Sequence, residues 1–185
     1  MNTEIKNKIL SCKKCSESQL VFNNNSQSSK GYGKLFGYRY SDEVKYMLVG
    51  INPSHKRYDN MCMNAFKAGT ALEDLNQKIH GDMFLYMLHK LEIINSCYFT
   101  NAIKCSTTSN KVNSGMFNNC FDILQCEIEH IKPKCVVALG NEVFSFLSTK
   151  NIENLIKVHH PNYYFSYRKN EIKNYILEFK NLESL

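Results

Sequence analysis

The chain has no apolar run long enough to cross a membrane, which excludes a helical membrane span. No secretory leader is expected either, since Met1 to Leu10 mixes charges into a helix-like pattern, unlike a signal peptide. Internal repeats and a domain linker are also missing. Its 185 residues suffice for one sizeable core and are short for two, so residues 1–185 are expected to form a single cytoplasmic domain. Acidic residues are in the minority, 17 against 23 Lys and Arg, for a net charge of +6. That excess is compatible with a phosphate backbone as partner, because phosphate contacts release counterions. A merely basic surface explains it equally well. With no leader expected, the eight cysteines read as core thiols, catalytic groups or metal ligands rather than disulfides.

Strand and helix signals alternate along the chain. Residues 1–11 read as a short amphipathic helix leading into Cys12-Lys13-Lys14-Cys15, and residues 16–34 as a polar surface loop. Strands are expected at Val44 to Val49, at Cys97 to Thr100, at Cys135 to Leu139 and, more weakly, at Ile156 to His159. Helical spacing links Phe84, Leu85, Leu88 and Leu91, and again Phe117, Phe121, Leu124, Ile128 and Ile131. A further helix starts at Gly140-Asn141-Glu142, and Ile172, Tyr175, Ile176 and Phe179 share one face of the tail. This alternation predicts an α/β fold, a three-layer α/β/α sandwich with a central four-stranded parallel sheet. Ligands of such sheets bind at the carboxyl ends of the strands.

Two short segments close strands in that position. Gly50-Ile51-Asn52-Pro53-Ser54 follows the first strand, and Pro53 restricts Asn52 to an extended backbone. The arrangement presents an amide rigidly at the strand's end, although an ordinary turn has the same composition. His159-His160-Pro161-Asn162 follows the last strand, and an imidazole held there can donate to a developing anion or shuttle a proton. A structural histidine is the plain alternative. Both segments ending strands of one parallel sheet favours the functional reading of each.

The cysteines form a third constellation. Cys12 and Cys15 have the C-x2-C spacing of zinc and iron–sulfur sites. Cys105 follows a strand and Cys120 lies on a helix, where core packing also explains it, and Cys126 is its nearest rival. One close pair and two separate cysteines suit a [4Fe–4S] cluster better than a zinc ribbon, which needs two close pairs. Zinc is the alternative metal.

Taken together, Cys12 and Cys15, Gly31-Tyr32-Gly33, Gly50 to Ser54, Phe66, Tyr98-Phe99-Thr100-Asn101, Lys104-Cys105, Cys120, Pro133 to Gly140 and His160-Pro161-Asn162 occur in one order. That order resembles the uracil-DNA glycosylase superfamily, and within it the iron–sulfur branch called family 4, from Cys12 to about Phe165. The Gly-x-Asn-Pro motif is similar to that of the mismatch-specific and thymine-DNA glycosylases. The resemblance implies base stacking on Phe66 and reading of the base edge by Asn101, with Gly50 and Ile51 lining the base. It implies that His160 donates to the pyrimidine oxygen and that Asn52 positions water. It also implies that Cys12, Cys15, Cys105 and Cys120 hold a structural cluster.

Ile51 stands where family 4 members usually have an acidic residue, Ser54 to Tyr58 lacks the usual acidic pair, and Asn162 replaces the usual Ser. These departures bear on the identity of the base. The expected activity is therefore hydrolysis of the N-glycosidic bond of uracil or a related pyrimidine in flipped-out DNA, by a monofunctional monomer. Two alternatives stay open: excision of an enlarged or modified pyrimidine, as in defence against phage, and a catalytically weak DNA- or damage-binding module. Ser54, Asn162, Tyr163 and Arg168 are the expected DNA contacts. The run Tyr163-Tyr164-Phe165 is either a wedge for the duplex or an aromatic lid over the core.

Overall fold

Four runs of β-branched and apolar residues form parallel strands whose side chains alternate between two covered faces. The structure, a computed structural model, describes residues 3–15, 38–39, 42–53, 83–105, 107 and 111–184. The strands are β1 (Tyr38–Arg39), β2 (Tyr46–Gly50), β3 (Cys97–Asn101), β4 (Cys135–Leu139) and β5 (Leu155–Val158), in the sheet order β1-β3-β2-β4-β5. The pairs β3–β2, β2–β4 and β4–β5 are parallel, which gives the expected four-stranded sheet. An antiparallel edge strand, β1, is added to it. At two residues, β1 is too short for any alternation to announce it.

Because strand side chains alternate, β2 and β4 feed two separate cores. On one face Leu48, Phe99, Val137 and Leu139 pack with Leu88 of α2 (Met83–Lys90) and with Tyr175 and Phe179 of α5 (Ile172–Lys180). On the other, Met47, Val49, Tyr98, Val136 and Ala138 meet Phe117, Cys120 and Leu124 of α3 (Ser114–Ile131) and Val143 and Leu147 of α4 (Asn141–Leu147). The three-layer sandwich follows. A third, smaller cluster attaches α1 (Thr3–Ser11) to α3 through Ile5, Ile9 and Ile123, and so sets where the chain continues into Cys12 and Cys15.

α3 is the longest helix among the described residues, and its ends are locally specified. The Asn113 side chain accepts from the Met116 N–H at 3.0 Å, closing the first turn. Lys132 at φ 51° ends the helix in the left-handed conformation. Among the described residues no helix is long and apolar enough to cross a membrane. The expected loop at 16–34, Gly31 to Gly33, Phe66 and Ser54 lie outside the described residues.

Phe179 is fully buried and packs edge-on against Tyr175, whereas Leu177 on the same helix is 54% exposed. Phe179→Ala should therefore lower the unfolding free energy by about 3–5 kcal/mol, and Leu177→Ala should change it by no more than about 0.5 kcal/mol. Denaturant midpoints of the two variants check this.

Candidate active site at the carboxyl edge of the sheet

All four parallel strands point the same way, so their carboxyl ends form one rim. Along it stand Asn101 at the end of β3, Gly50 to Asn52 after β2, Gly140 after β4 and His159-His160 after β5. From β2 the chain passes to β3 on one side and then to β4 on the other, which makes the β2–β4 crevice the switch point of the sheet. With strands about 4.8 Å apart, β2 and β5 are separated by about 10 Å, room for a nucleotide's base and sugar.

Two of the rim residues are in direct contact. Gly50 is in register with Asn101, and a Cβ at Gly50 would come within 2.5 Å of Asn101 Oδ1. A side chain at Gly50 would therefore have to push the Asn101 amide aside. The chain beyond is tied across: the Ala102 and Ile103 N–H groups donate to the Gly50 and Ile51 carbonyls at 2.8 and 2.9 Å. The Ile51 side chain is half-buried against the α3-side core. Asn52 is half-buried, and its Nδ2 lies 3.4 Å from both Thr107 Oγ1 and the Pro53 carbonyl. With its nitrogen turned to that side, Oδ1 is the end of the amide left to act as an acceptor.

His160 occupies the opposite end of the rim. The Asn162 N–H donates to its Nδ1 at 3.2 Å, a contact that fits the tautomer with its proton on Nε2. Gly140, at φ +98°, supports it from below: an added Cβ would lie 3.2 Å from the Cβ of His160. Beyond Pro161 the chain makes a π-helical turn, Tyr163–Tyr167, a feature often found at functional sites. Tyr164 is buried in the core and Phe165 half-buried against it, as a lid would be. Tyr163 and Tyr167 face outward, 38% and 81% exposed, beside exposed Asn162 and Arg168. Arg168 bonds Glu171 at 3.2 Å on the surface.

Beneath Asn101 lies a buried polar network. Lys104 Nζ donates to Glu127 Oε2 at 2.5 Å, to Thr100 Oγ1 at 2.7 Å and to the Asn101 carbonyl at 2.7 Å, and Thr100 Oγ1 donates to Glu127 at 2.8 Å. The Lys104 and Glu127 side chains are 2% and 0% exposed. Burial, and then the nearby Glu127 charge, push the Tyr98 hydroxyl far above its ordinary value. Sequence reasoning quoted Lys104 only as part of a motif and missed Glu127. An acidic residue three positions after Leu124, on the apolar face of α3, was the available signal.

The four candidate thiols come from three elements. Cys15, Cys105 and Cys120 belong to the α3-side core, and the Cys120 thiol interacts with Cys12 and Cys15. Burial raises the Cys120 thiol above its usual value, and a hydrogen bond from the Lys104 backbone lowers it in part. Cys126 instead faces α1, where Lys8 Nζ donates to its sulfur at 3.4 Å. Among the described residues no group of three or more His, Cys, Asp or Glu side chains is placed to hold a metal ion. An all-cysteine donor set drawn from separate elements suits a multi-iron cluster, which is wider than an ion.

Removing one partner of the buried pair leaves the other charge unpaired. Glu127→Ala should destabilise the protein by about 3–5 kcal/mol, whereas Lys104→Met with Glu127→Leu should unfold near the wild-type midpoint or above it. Equilibrium unfolding of the single and double variants decides this.

Comparison with known proteins matches this geometry to one family. Residues 38–181 match the family model described as the uracil DNA glycosylase superfamily. The chain is 26% identical over 173 residues to the type-4 uracil-DNA glycosylase of Sulfurisphaera tokodaii, covering 91% of this chain and 69% of that protein. The matched region contains the whole sheet and all of the rim residues described above. The chain belongs to the uracil DNA glycosylase superfamily and is, by that membership, a DNA glycosylase, a hydrolase of N-glycosidic bonds.

Proposed function

We propose that the chain excises uracil, or a closely related pyrimidine, from DNA as a single-domain, monomeric, cytoplasmic enzyme. One observation carries the proposal: Gly50 to Asn52, Asn101 and His160 stand on a common rim in a chain of this superfamily. The target nucleotide leaves the stack at a cost of a few kcal/mol. Its base stacks on Phe66 and sits over Gly50 and Ile51, where the Asn101 amide offers one acceptor and a donor to the base edge. Breaking the glycosidic bond leaves negative charge on the base and positive charge on the sugar. His160 donates from Nε2 to the pyrimidine oxygen and stabilises the departing base. Asn52, its nitrogen turned toward Thr107, holds a water through Oδ1 for attack on the sugar carbon. The base then leaves, and an abasic site remains in the DNA.

Lys104 supports hydrolysis by water rather than by an amine. It is the lysine nearest Asn101 in the chain, and its ammonium is fully engaged with Glu127, Thr100 and the Asn101 carbonyl. Ser54, Asn162, Tyr163 and Arg168 are the proposed contacts to the DNA around the extruded nucleotide. Cys12, Cys15, Cys105 and Cys120 are the proposed ligands of a structural [4Fe–4S] cluster. The interaction of Cys120 with Cys12 and Cys15, and the backbone donor at Lys104, support that set over one containing Cys126. When bound, the cluster cross-links the end of α1 to α3 and to the loop after Asn101.

Wild-type protein should release uracil from an oligonucleotide, with Asn52→Ala and His160→Ala each slower by about 10²–10³ at single turnover. Release only from 5-substituted pyrimidines would move the substrate to enlarged bases, and no release from any of them would overturn the proposal. Metal analysis should find iron with acid-labile sulfide in brown protein. A colourless protein holding stoichiometric zinc would overturn the cluster.

A further inference from the structure

The peptide between Val158 and His159 is gripped from both sides. Its carbonyl accepts from the Gly140 N–H at 2.8 Å, on the side of β4. The peptide unit is planar and trans, so its N–H points the opposite way. There β5 is an edge of the sheet, and among the described residues no further strand receives that N–H. Glu178 of α5 takes the place of the missing strand. Its Oε2 accepts the His159 N–H at 2.8 Å, and its Oε1 lies 2.5 Å from His159 Nδ1. The buried Tyr164 adds its hydroxyl to Oε1 at 3.0 Å and is itself pushed up to about 12 by desolvation and then by that carboxylate. One carboxylate thus ties the last residue before His160 to the turn that follows it. His159 also stacks on Tyr163, with ring centroids 4.7 Å apart.

We propose that Glu178 is a positioning residue that aims His160, and through His159 also Tyr163, at the rim. The inference rests on the assignment of His160 as the donor to the departing base. Pro161 holds His160 extended, so the direction of the ring is inherited from the peptide that Gly140 and Glu178 fix. Without the carboxylate, the outward N–H of an edge strand has only water to bond, and the strand end can swing. Misplacement of a catalytic group by about 1 Å reduces a rate about 10²-fold.

Two measurements on the full-length protein test this. In the first, Glu178→Ala should slow single-turnover excision by about 10–10² in wild type, yet by less than about twofold when His160 is already Ala, because coupled residues are not additive. Glu178→Gln, which keeps an acceptor for the His159 N–H, should recover most of the rate. In the second, ¹⁵N imidazole spectra should show the His160 ring signals displaced in Glu178→Ala, with those of His89 and His130 unmoved. An equal loss in both backgrounds, or unmoved His160 signals, would overturn the proposal. A wild-type protein that releases no base while Glu178→Ala still moves the His160 ring would count against the glycosylase substrate alone and leave the positioning role standing.

Discussion

An ammonium and a carboxylate taken together out of water must remain paired, and Lys104 and Glu127 do so under the sheet's carboxyl rim. Such a pair adds little net stability, because desolvating two charges offsets most of their attraction. What it supplies is geometry. Lys104 can satisfy its three donors only by holding the Asn101 carbonyl, Thr100 and Glu127 at once. That fixes the path of the chain from Asn101 to Cys105. The same lysine's backbone donates to Cys120, so Asn101 and the candidate thiols are anchored to one short loop. An apolar pair would fold as well and would leave that loop without its polar tie.

The rim depends equally on what is absent from it. Gly50 and Gly140 are the floors under Asn101 and His160: a Cβ at Gly50 would displace the Asn101 amide, and Gly140 combines a close approach to His160 with a positive φ. Strand register does the rest. Once β2 and β3 align Gly50 with Asn101, and β4 aligns Leu139 with Val158, the two ends of the site stand on opposite sides of the switch point. The C-terminal helix closes the arrangement through Glu178. Each polar group is therefore held through a described helix that follows its own strand: Asn101 through Lys104 and Glu127 of α3, and the His160 strand end through Glu178 of α5.

The sheet was legible from the sequence because its buried strands are continuous apolar runs. The expected limits coincide with the observed ones at β4 and elsewhere differ by at most two residues. At the first strand the pattern starts at Val44, whereas pairing starts at Tyr46 and runs on through Gly50. β1 left no trace, since two residues carry no period. In the site, Gly50, Asn52, Asn101 and His160 could be picked out because they sit in short motifs at strand ends. Gly140, Thr107, Glu127 and Glu178 could not, because each acts through a contact with a distant residue. Thr107 meets Asn52 across 55 positions and Glu178 meets His159 across 19, separations that no local pattern encodes. The aromatic run after Pro161 resolves in both directions, with Tyr164 and Phe165 inward and Tyr163 and Tyr167 outward.

The proposed site turns on the Asn101 amide, held over Gly50 and opposite His160 on the rim. Its most direct measurement is single-turnover base release by Gly50→Ala beside wild type, with DNA affinity and melting temperature recorded for both. A Cβ there would meet Asn101 Oδ1 at 2.5 Å and displace the amide. The account predicts release slowed by about 10² or more, with DNA binding and folding largely retained. Release at the wild-type rate by a folded Gly50→Ala protein would contradict it.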